Sequence, residues 1–348
     1  MRYKLLGKSG LRVSELALGT MTFGEDWGFG ANEPESRKQF DAFAEAGGNF
    51  IDTANVYTNG TSEKYLGTFL KGQRDTFIVA TKYSGALRPG DVNSGGNHRK
   101  SMVPSVERSL RQLQTDYIDL LWVHVWDGST PVDEVVRSLD ALVRSGKVLH
   151  IGVSDWPAWV VSQAHTMAEL RGWASFAALQ IEYSLVQRTP ERDLIPMAEA
   201  FGIGVTPWSP LGGGVLSGKY TSLDDFKKLQ ERRQELFFDH TPEQVFALAK
   251  SVVAVAKQVG KSPTQVALNW LRYKNTIPIL GARDISQLKD SLAATEWELT
   301  AEQMAELDEA SHIPLGFPHD FLRSAPVRNY FYAGVRDKVD WQNPPNVD

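Results

Sequence analysis

"NFIDTANVYTNGTSEKYLGTFLK", residues 49–71, holds one complete repeat of the pattern that decides the fold. An apolar run, "NFIDTA", reads as a short strand, and "SEKYLGTFLK" after it reads as an amphipathic helix. Between them a Gly/Asn/Thr loop carries Tyr57, five residues after Asp52 at the end of the apolar run. The same unit recurs along the chain. "SELALGTM" precedes a helix from Pro34 to Ala46, and "TFIVATKY" precedes "RKSMVPSVERSLRQL". "YIDLLWVH" precedes "PVDEVVRSLDALVRSG", where Val132, Val135, Val136, Leu139 and Val143 recur at helical spacing. "VLHIGVSD", "FAALQIEYS", "GIGVTPWSP" and "TIPILGA" are each followed by further helical stretches.

Roughly eight strand–helix units with β-branched strands and no evident linker predict a parallel sheet closed into a (β/α)8 TIM barrel. The expected core spans about residues 16–311 of one domain covering 1–348. "YKLLGKSGLRV" reads as a hairpin turning at Ser9-Gly10 and capping the bottom of the barrel. Two segments exceed the repeat: a long loop from Leu211 to Pro242 after strand seven, and an aromatic, Pro-rich tail over 312–348.

Composition narrows the function classes. Hydrophobic residues make up 42% of the 348 and charged residues 23%, enough for a large core and against global disorder. A net charge of −5 disfavours a general nucleic-acid or anionic-membrane binder. The absence of cysteine removes disulfides and thiolate chemistry, and the seven histidines form no HExxH-type pair, so no metal is expected. Without an apolar leader or an 18-residue apolar run, the expectation is a cytoplasmic protein acting on a small molecule.

In such a barrel, chemistry gathers at the C-terminal strand ends. Those ends carry Asp52 and Tyr57, Lys82, His124, Ser154 and Asp155, Gln180 and Glu182, Trp208 and Ser209, and Arg283. Singly each has a plain structural explanation: a turn cap, a snorkelling lysine, a packed aromatic, a core histidine. Jointly they make a proton-transfer set. A phenol with an ordinary pKa of about 10 is a poor proton shuttle near neutrality, and an adjacent ammonium lowers that value. Lys82 is the candidate ammonium, and Asp52 the counter-charge that keeps it cationic. A neutral His124 can donate to a carbonyl oxygen. Trp208, Gln180 and Ser154 offer a stacking face and amide hydrogen bonds for a flat cofactor ring, the hydride source that a phenol lacks.

"DTANVYTNGTSE", "IVATKYS", "TDYIDLLWVH", "GKVLHIGVSD", "LQIEYSLV", "VTPWSPLGGGVLSGKY" and "PILGARDISQLKDSL" together resemble the aldo-keto reductase superfamily from about residue 3 to 311. The likeness is greatest to a bacterial, aryl-alcohol-dehydrogenase-like branch. It implies an NADP(H)-dependent reductase of aldehydes and ketones without a Rossmann fold, with Asp52, Tyr57, Lys82 and His124 as catalytic tetrad and Tyr57 as general acid. It further implies cofactor contacts from Gly19, Thr20, Met21, Asp52, Ser154, Asp155, Gln180 and Trp208. Ser209, Pro210, Leu211, Gly213, Leu216, Gly218 and Lys219 would meet the pyrophosphate. Gly281, Arg283 and Gln287 would meet the adenosine end, where Arg283 can fork onto a 2′-phosphate. Asp155 departs from the family's usual Asn, and Asp290-Ser291 from the commoner Glu-Asn. An ionised carboxylate accepts hydrogen bonds but donates none.

"GGVLSGKY" mimics a phosphate-binding P-loop, but Tyr220 stands where that motif needs Ser or Thr. No GxGxxG follows an early strand. The rival function is a cofactor-binding regulatory subunit of low turnover, resembling potassium-channel β subunits, against which the hairpin's start at residue 3 leaves no extra N-terminal segment. Trp27, Phe29 and Trp126, with Tyr57 and His124, are the candidate substrate walls, together with tail aromatics Phe317, Phe321 and Tyr330. Such walls suit an apolar or aromatic carbonyl.

Overall fold

A computed structural model of the chain describes residues 1–220, 222–232 and 241–339. The central sheet has eight parallel strands: β3 (Ala17–Gly19), β4 (Phe50–Asp52), β5 (Ile78–Tyr83), β6 (Ile118–Val123), β7 (Val148–Ser154), β8 (Phe176–Glu182), β9 (Gly204–Trp208) and β10 (Ile279–Leu280). They run in the order β10-β3-β4-β5-β6-β7-β8-β9. The Ile277 amide donates to the Val205 carbonyl at 2.9 Å, bridging the two ends of the sheet. The result is the nearly closed (β/α)8 barrel that the sequence pattern predicts.

Helices wrap the sheet: α1 (Glu33–Glu45), α2 (Thr61–Phe69), α3 (Arg99–Leu113), α4 (Val132–Arg144), α5 (Ala158–Arg171), α6 (Leu194–Phe201), α7 (Leu223–Arg232), α8 (Pro242–Val259), α9 (Pro263–Tyr273), α10 (Ile285–Leu292) and α11 (Ala301–Ala310). The stripe read on α4 is real: Val135, Val136 and Leu139 are buried, with Val132 and Val143 half-buried beside them. The long loop after β9 is not bare loop, since it contains a 3-10 turn over Gly212–Ser217 and α7; residues 221 and 233–240 of it lie outside the described residues. The tail likewise forms α12 (His319–Arg323) and α13 (Ala325–Phe331), with 340–348 outside the described residues.

The hairpin β1 (Tyr3–Leu5) and β2 (Arg12–Ser14) closes the bottom of the barrel as expected. Leu6 and Val13 are fully buried against Phe50, Ile78, Leu120 and Ala178, residues of the barrel interior. The glycine this approach requires is Gly7, with φ +58: a Cβ there would lie 2.6 Å from the Ala177 and Gly202 carbonyl oxygens. Gly10 at the turn meets no such crowding.

Strand register fixes what faces inward. Asp52 pairs with Ala80, Ala80 with Leu120, and Lys82 with Trp122. Trp122 then pairs with Gly152, Ser154 with Gln180, and Gln180 with Thr206. Side chains alternate faces along a strand, so residues of this one parity share the interior. The lower layers are apolar. Trp122 fills the middle, and Gly152 makes room for it, because a Cβ there would sit 2.4 Å from the indole. Above that plug, the same parity turns polar: Asp52, Lys82, His124, Ser154, Gln180 and Glu182.

Candidate active site at the barrel mouth

The stretch after β4 does not leave the sheet at once. The Thr53 amide donates to the Ala80 carbonyl at 2.9 Å and the Asn55 amide to the Lys82 carbonyl at 3.2 Å, so Asp52 and Tyr57 stay alongside β5. The turn then tightens through Thr58 and Asn59, both in the left-handed region with φ of 44° and 58°. Thr58 pins it by donating to the Phe23 carbonyl at 2.6 Å. Spacing on one loop thus delivers a carboxylate and a phenol to the same lysine.

Lys82 is wholly buried and Asp52 nearly so. The Lys82 ammonium donates to Asp52 Oδ1, to the Thr53 carbonyl at 2.9 Å and to the Tyr57 hydroxyl at 3.1 Å. Gln180 Nε2 donates to the other Asp52 oxygen at 2.9 Å. Burial pulls the Lys82 pKa down, but the charge of Asp52 and the Tyr57 contact outweigh it, so the net direction is up and the ammonium is secure. His124 meets Tyr57 edge-on, with ring centroids 6.0 Å apart. Burial, and then the Lys82 charge, drop its pKa to about 3, which keeps the imidazole neutral.

Tyr57 corrects the sequence argument. Lys82 does lower its pKa, but burial raises it more and Asp52 adds to the rise, so the phenol ends above its ordinary value. At neutral pH it holds its proton. That is the form needed to give a proton away.

Asp155 follows β7 directly in the left-handed conformation, φ 53, which aspartate tolerates better than most residues. Its carboxylate faces the mouth and accepts from Trp208 Nε1 at 3.0 Å and from Ser154 Oγ at 2.9 Å. Water reaches it, yet protein crowds around it and raises its pKa against those two hydrogen bonds. Glu182, on the neighbouring strand end, is pushed up to about 7 by burial and by the Asp155 charge. The Thr53 carbonyl, which accepts from Lys82, is the backbone group at this rim, while its side chain turns to Ser62 of α2. Trp159, which the sequence reading missed, meets Trp126 edge-on at 5.9 Å; its place at the second residue of α5, five residues past the end of β7, is the signal that could have found it.

The other expected contacts fall into two groups. Met21, Gly281, Arg283, Gln287 and Lys219 are exposed around the rim, and a Cβ at Gly281 would meet open space. Gly212, Gly213 and Gly214 have successive positive φ values of 54°, 64° and 93°, and a Cβ at Gly214 would come within 2.8 Å of Lys219 Nζ. The amides of Gly212 and Gly214 donate to the Ser209 and Leu211 carbonyls at 2.8 and 2.9 Å, so the turn is closed on itself and the group free to meet a phosphate beside it is the exposed Lys219 ammonium. The Ser209 hydroxyl accepts from the Gly213 amide at 3.0 Å and braces the turn. Thr20, Pro210 and Leu216 are buried; Thr20 bonds the Asp52 carbonyl and Leu216 packs in the core, while Leu211 and Gly218 are half-buried. Gly19 is crowded, its Cβ direction meeting Ile279 at 2.7 Å, so barrel packing alone demands glycine there. Asp290, one of the two departures, accepts from Ser262 at 2.9 Å and Gln265 at 2.7 Å, tying α10 to α9.

Trp27 stands edge-on to Tyr57 at 6.4 Å, and Phe29 packs on the Trp27 ring at 6.0 Å. The tail aromatics Phe317, Phe321 and Tyr330 are largely exposed; Phe317 pairs with Phe321 and Tyr330 with Phe331. No group of three or more His, Cys, Asp or Glu side chains suited to a metal occurs among the described residues. No helix among them is long and apolar enough to cross a membrane.

Comparison with known proteins gives a match to the model of the aldo/keto reductase family over residues 15–312. A norsolorinic acid reductase of Aspergillus flavus is 38% identical over 97% of this chain and 88% of its own length. A putative aryl-alcohol dehydrogenase of Saccharomyces cerevisiae is 38% identical over 94% of this chain and 91% of its own. An aryl-alcohol dehydrogenase of Pestalotiopsis microspora is 38% identical over 92% and 85%. These relatives are fungal, so the expectation of a bacterial branch is not borne out.

Proposed function

The chain belongs to the aldo/keto reductase family, and from that premise we propose that it is an NADPH-dependent reductase of aldehydes and ketones with Tyr57 as proton donor. The observation that carries the reading is the single ammonium of Lys82 bonded to both Asp52 and the Tyr57 hydroxyl. When bound, the dihydronicotinamide supplies the hydride. The carbonyl side of Gln180, and the Ser154 oxygen as an acceptor while its hydrogen goes to Asp155, suit its carboxamide, with the Trp208 indole as stacking face. The exposed Lys219 ammonium beside the glycine turn suits the pyrophosphate, and exposed Arg283 suits a 2′-phosphate.

Tyr57 donates its proton to the carbonyl oxygen, and Lys82 stabilises the phenolate left behind. Asp52 keeps Lys82 charged and aimed. Neutral His124 donates a hydrogen bond that positions the same oxygen, which an imidazolium would do only by adding a second charge beside Lys82. Trp27, Phe29, Trp126 and Trp159 offer apolar aromatic surface, and two relatives are named aryl-alcohol dehydrogenases, so flat aromatic carbonyls are the substrate class to try first.

The test is NADPH oxidation with a panel of aromatic aldehydes, NADH run in parallel. Tyr57→Phe should cut kcat by about 10²–10⁴-fold with NADPH affinity nearly unchanged. Turnover by the variant close to wild type would overturn the proton-donor role. Tight NADPH binding without turnover by the wild type would instead favour the regulatory-subunit reading.

A further inference from the structure

The charges of the barrel mouth do not sum to zero. Asp52 and Lys82 cancel as a buried pair. His124 is uncharged, its pKa held near 3, and Tyr57 keeps its proton. What remains is Asp155, open to the mouth, and Glu182 beside it. Both Asp155 oxygens have partners that can donate to a carboxylate, Trp208 Nε1 on one side and Ser154 Oγ on the other, and those bonds and the Lys82 charge favour its ionised form against burial. Its field reaches the reacting groups: it acts on Tyr57, and Lys82 acts on it. The mouth therefore carries one negative charge in excess, and a second when Glu182 ionises.

We propose that Asp155 and Glu182 set the redox preference of this site, favouring the oxidised, cationic nicotinamide over the neutral reduced form. The inference rests on the cofactor reading above and goes further, because it assigns a direction to the site. The two forms differ by one positive charge on the ring and are alike elsewhere. Lys219 and Arg283, which suit the phosphates, act equally on both and drop out of the ratio of their affinities. A carboxylate beside the ring does not drop out. An amide at position 155 keeps one acceptor oxygen, enough for Trp208 Nε1, and can donate to the Ser154 hydroxyl from its NH2, so it fills the position without the charge.

Glu182 makes the preference depend on pH. It faces Asp155 from the end of β7 and the uncharged Trp208, its register partner in β9; among the described residues Asp155 is the charged group that acts on it. It is protonated below about 7 and ionised above, so the bias toward the oxidised form grows as pH rises through neutrality. Titration of a 2′-phosphate is common to both forms and cancels.

The experiment is calorimetric titration of the full chain with NADP+ and with NADPH at pH 6 and pH 8, for wild type, Asp155→Asn and Glu182→Gln. The readout is the ratio of the two dissociation constants, with circular dichroism confirming that each variant folds. Removing one carboxylate charge near the ring should shift the ratio against NADP+ by about tenfold in Asp155→Asn. Glu182→Gln should abolish the change in ratio between pH 6 and pH 8 while wild type shows it. Ratios within about twofold of wild type in both variants, with both nucleotides bound, would overturn the inference and leave the cofactor reading standing. Failure of wild type to bind either nucleotide would overturn the cofactor reading, and this inference with it.

Discussion

Replacing Lys82 with Met tests the ion pair on which the site is built, because thioether and butyl chain fill similar space without charge. The variant leaves Asp52 in place, 2% exposed and stripped of its cation, with only Gln180 Nε2 still donating to it. Removing one member of a buried pair costs about 3–5 kcal/mol. Proton uptake sets a ceiling on that figure: a buried carboxylate escapes by becoming neutral, which from the ordinary aspartate range costs about 4 kcal/mol at pH 7 and about 1.5 kcal/mol at pH 5. The sign follows from linkage. A carboxyl that is forced to hold its proton in the folded state destabilises more as pH rises above its unfolded pKa, so the deficit should shrink on acidification. Urea unfolding at both pH values measures it. The double variant Asp52→Leu/Lys82→Met removes the stranded charge and adds to the Thr53 carbonyl and Tyr57 hydroxyl, which both variants leave without Lys82, only the Gln180 amide short of a partner, so it should be more stable than the single variant at pH 7 by about 2 kcal/mol. It should regain no turnover. A single variant as stable as wild type, or one with equal deficits at pH 5 and pH 7, would refute the reasoning.

Two further outcomes follow from the barrel interior. Gly152→Ala puts a methyl 2.4 Å from the Trp122 ring, with backbone on the other side, and should lower stability by about 1–3 kcal/mol in urea unfolding while leaving the circular dichroism of a barrel. His124, with a pKa near 3, should show no proton uptake between pH 8 and pH 5 when its ring signals are followed by NMR. An inflection near the ordinary histidine value would contradict its neutral role.

Much of this was legible because a barrel converts strand parity into location. Once "NFIDTA", "TFIVATKY" and "YIDLLWVH" are read as parallel strands, Asp52, Lys82 and His124 must point inward near one rim, and Tyr57 follows from loop length. What was not legible depends on direction and competition. Residue types do not say that Gln180 turns its amide onto Asp52, or that Asp290 faces Ser262 and Gln265. They also do not say whether burial or Lys82 wins at Tyr57; only the depth of the mouth decides that, and burial wins. The demand for glycine at Gly7 comes from carbonyls on two other strands' approaches, which no local pattern encodes.

The direction of the Tyr57 proton follows from counting hydrogens on Lys82. An ammonium has three donors and no acceptor. One goes to Asp52 Oδ1 and one to the Thr53 carbonyl, so the third is what meets the Tyr57 oxygen. Tyr57 is therefore the acceptor in that contact, and its own hydrogen must point away from Lys82. Asp52 cannot take it, since its oxygens face Lys82 and Gln180. The hydrogen is left on the side shared with His124, where the mouth opens. A strand end that places a carboxylate and a backbone carbonyl in consecutive residues, Asp52 and Thr53, thereby orients a phenol that touches neither.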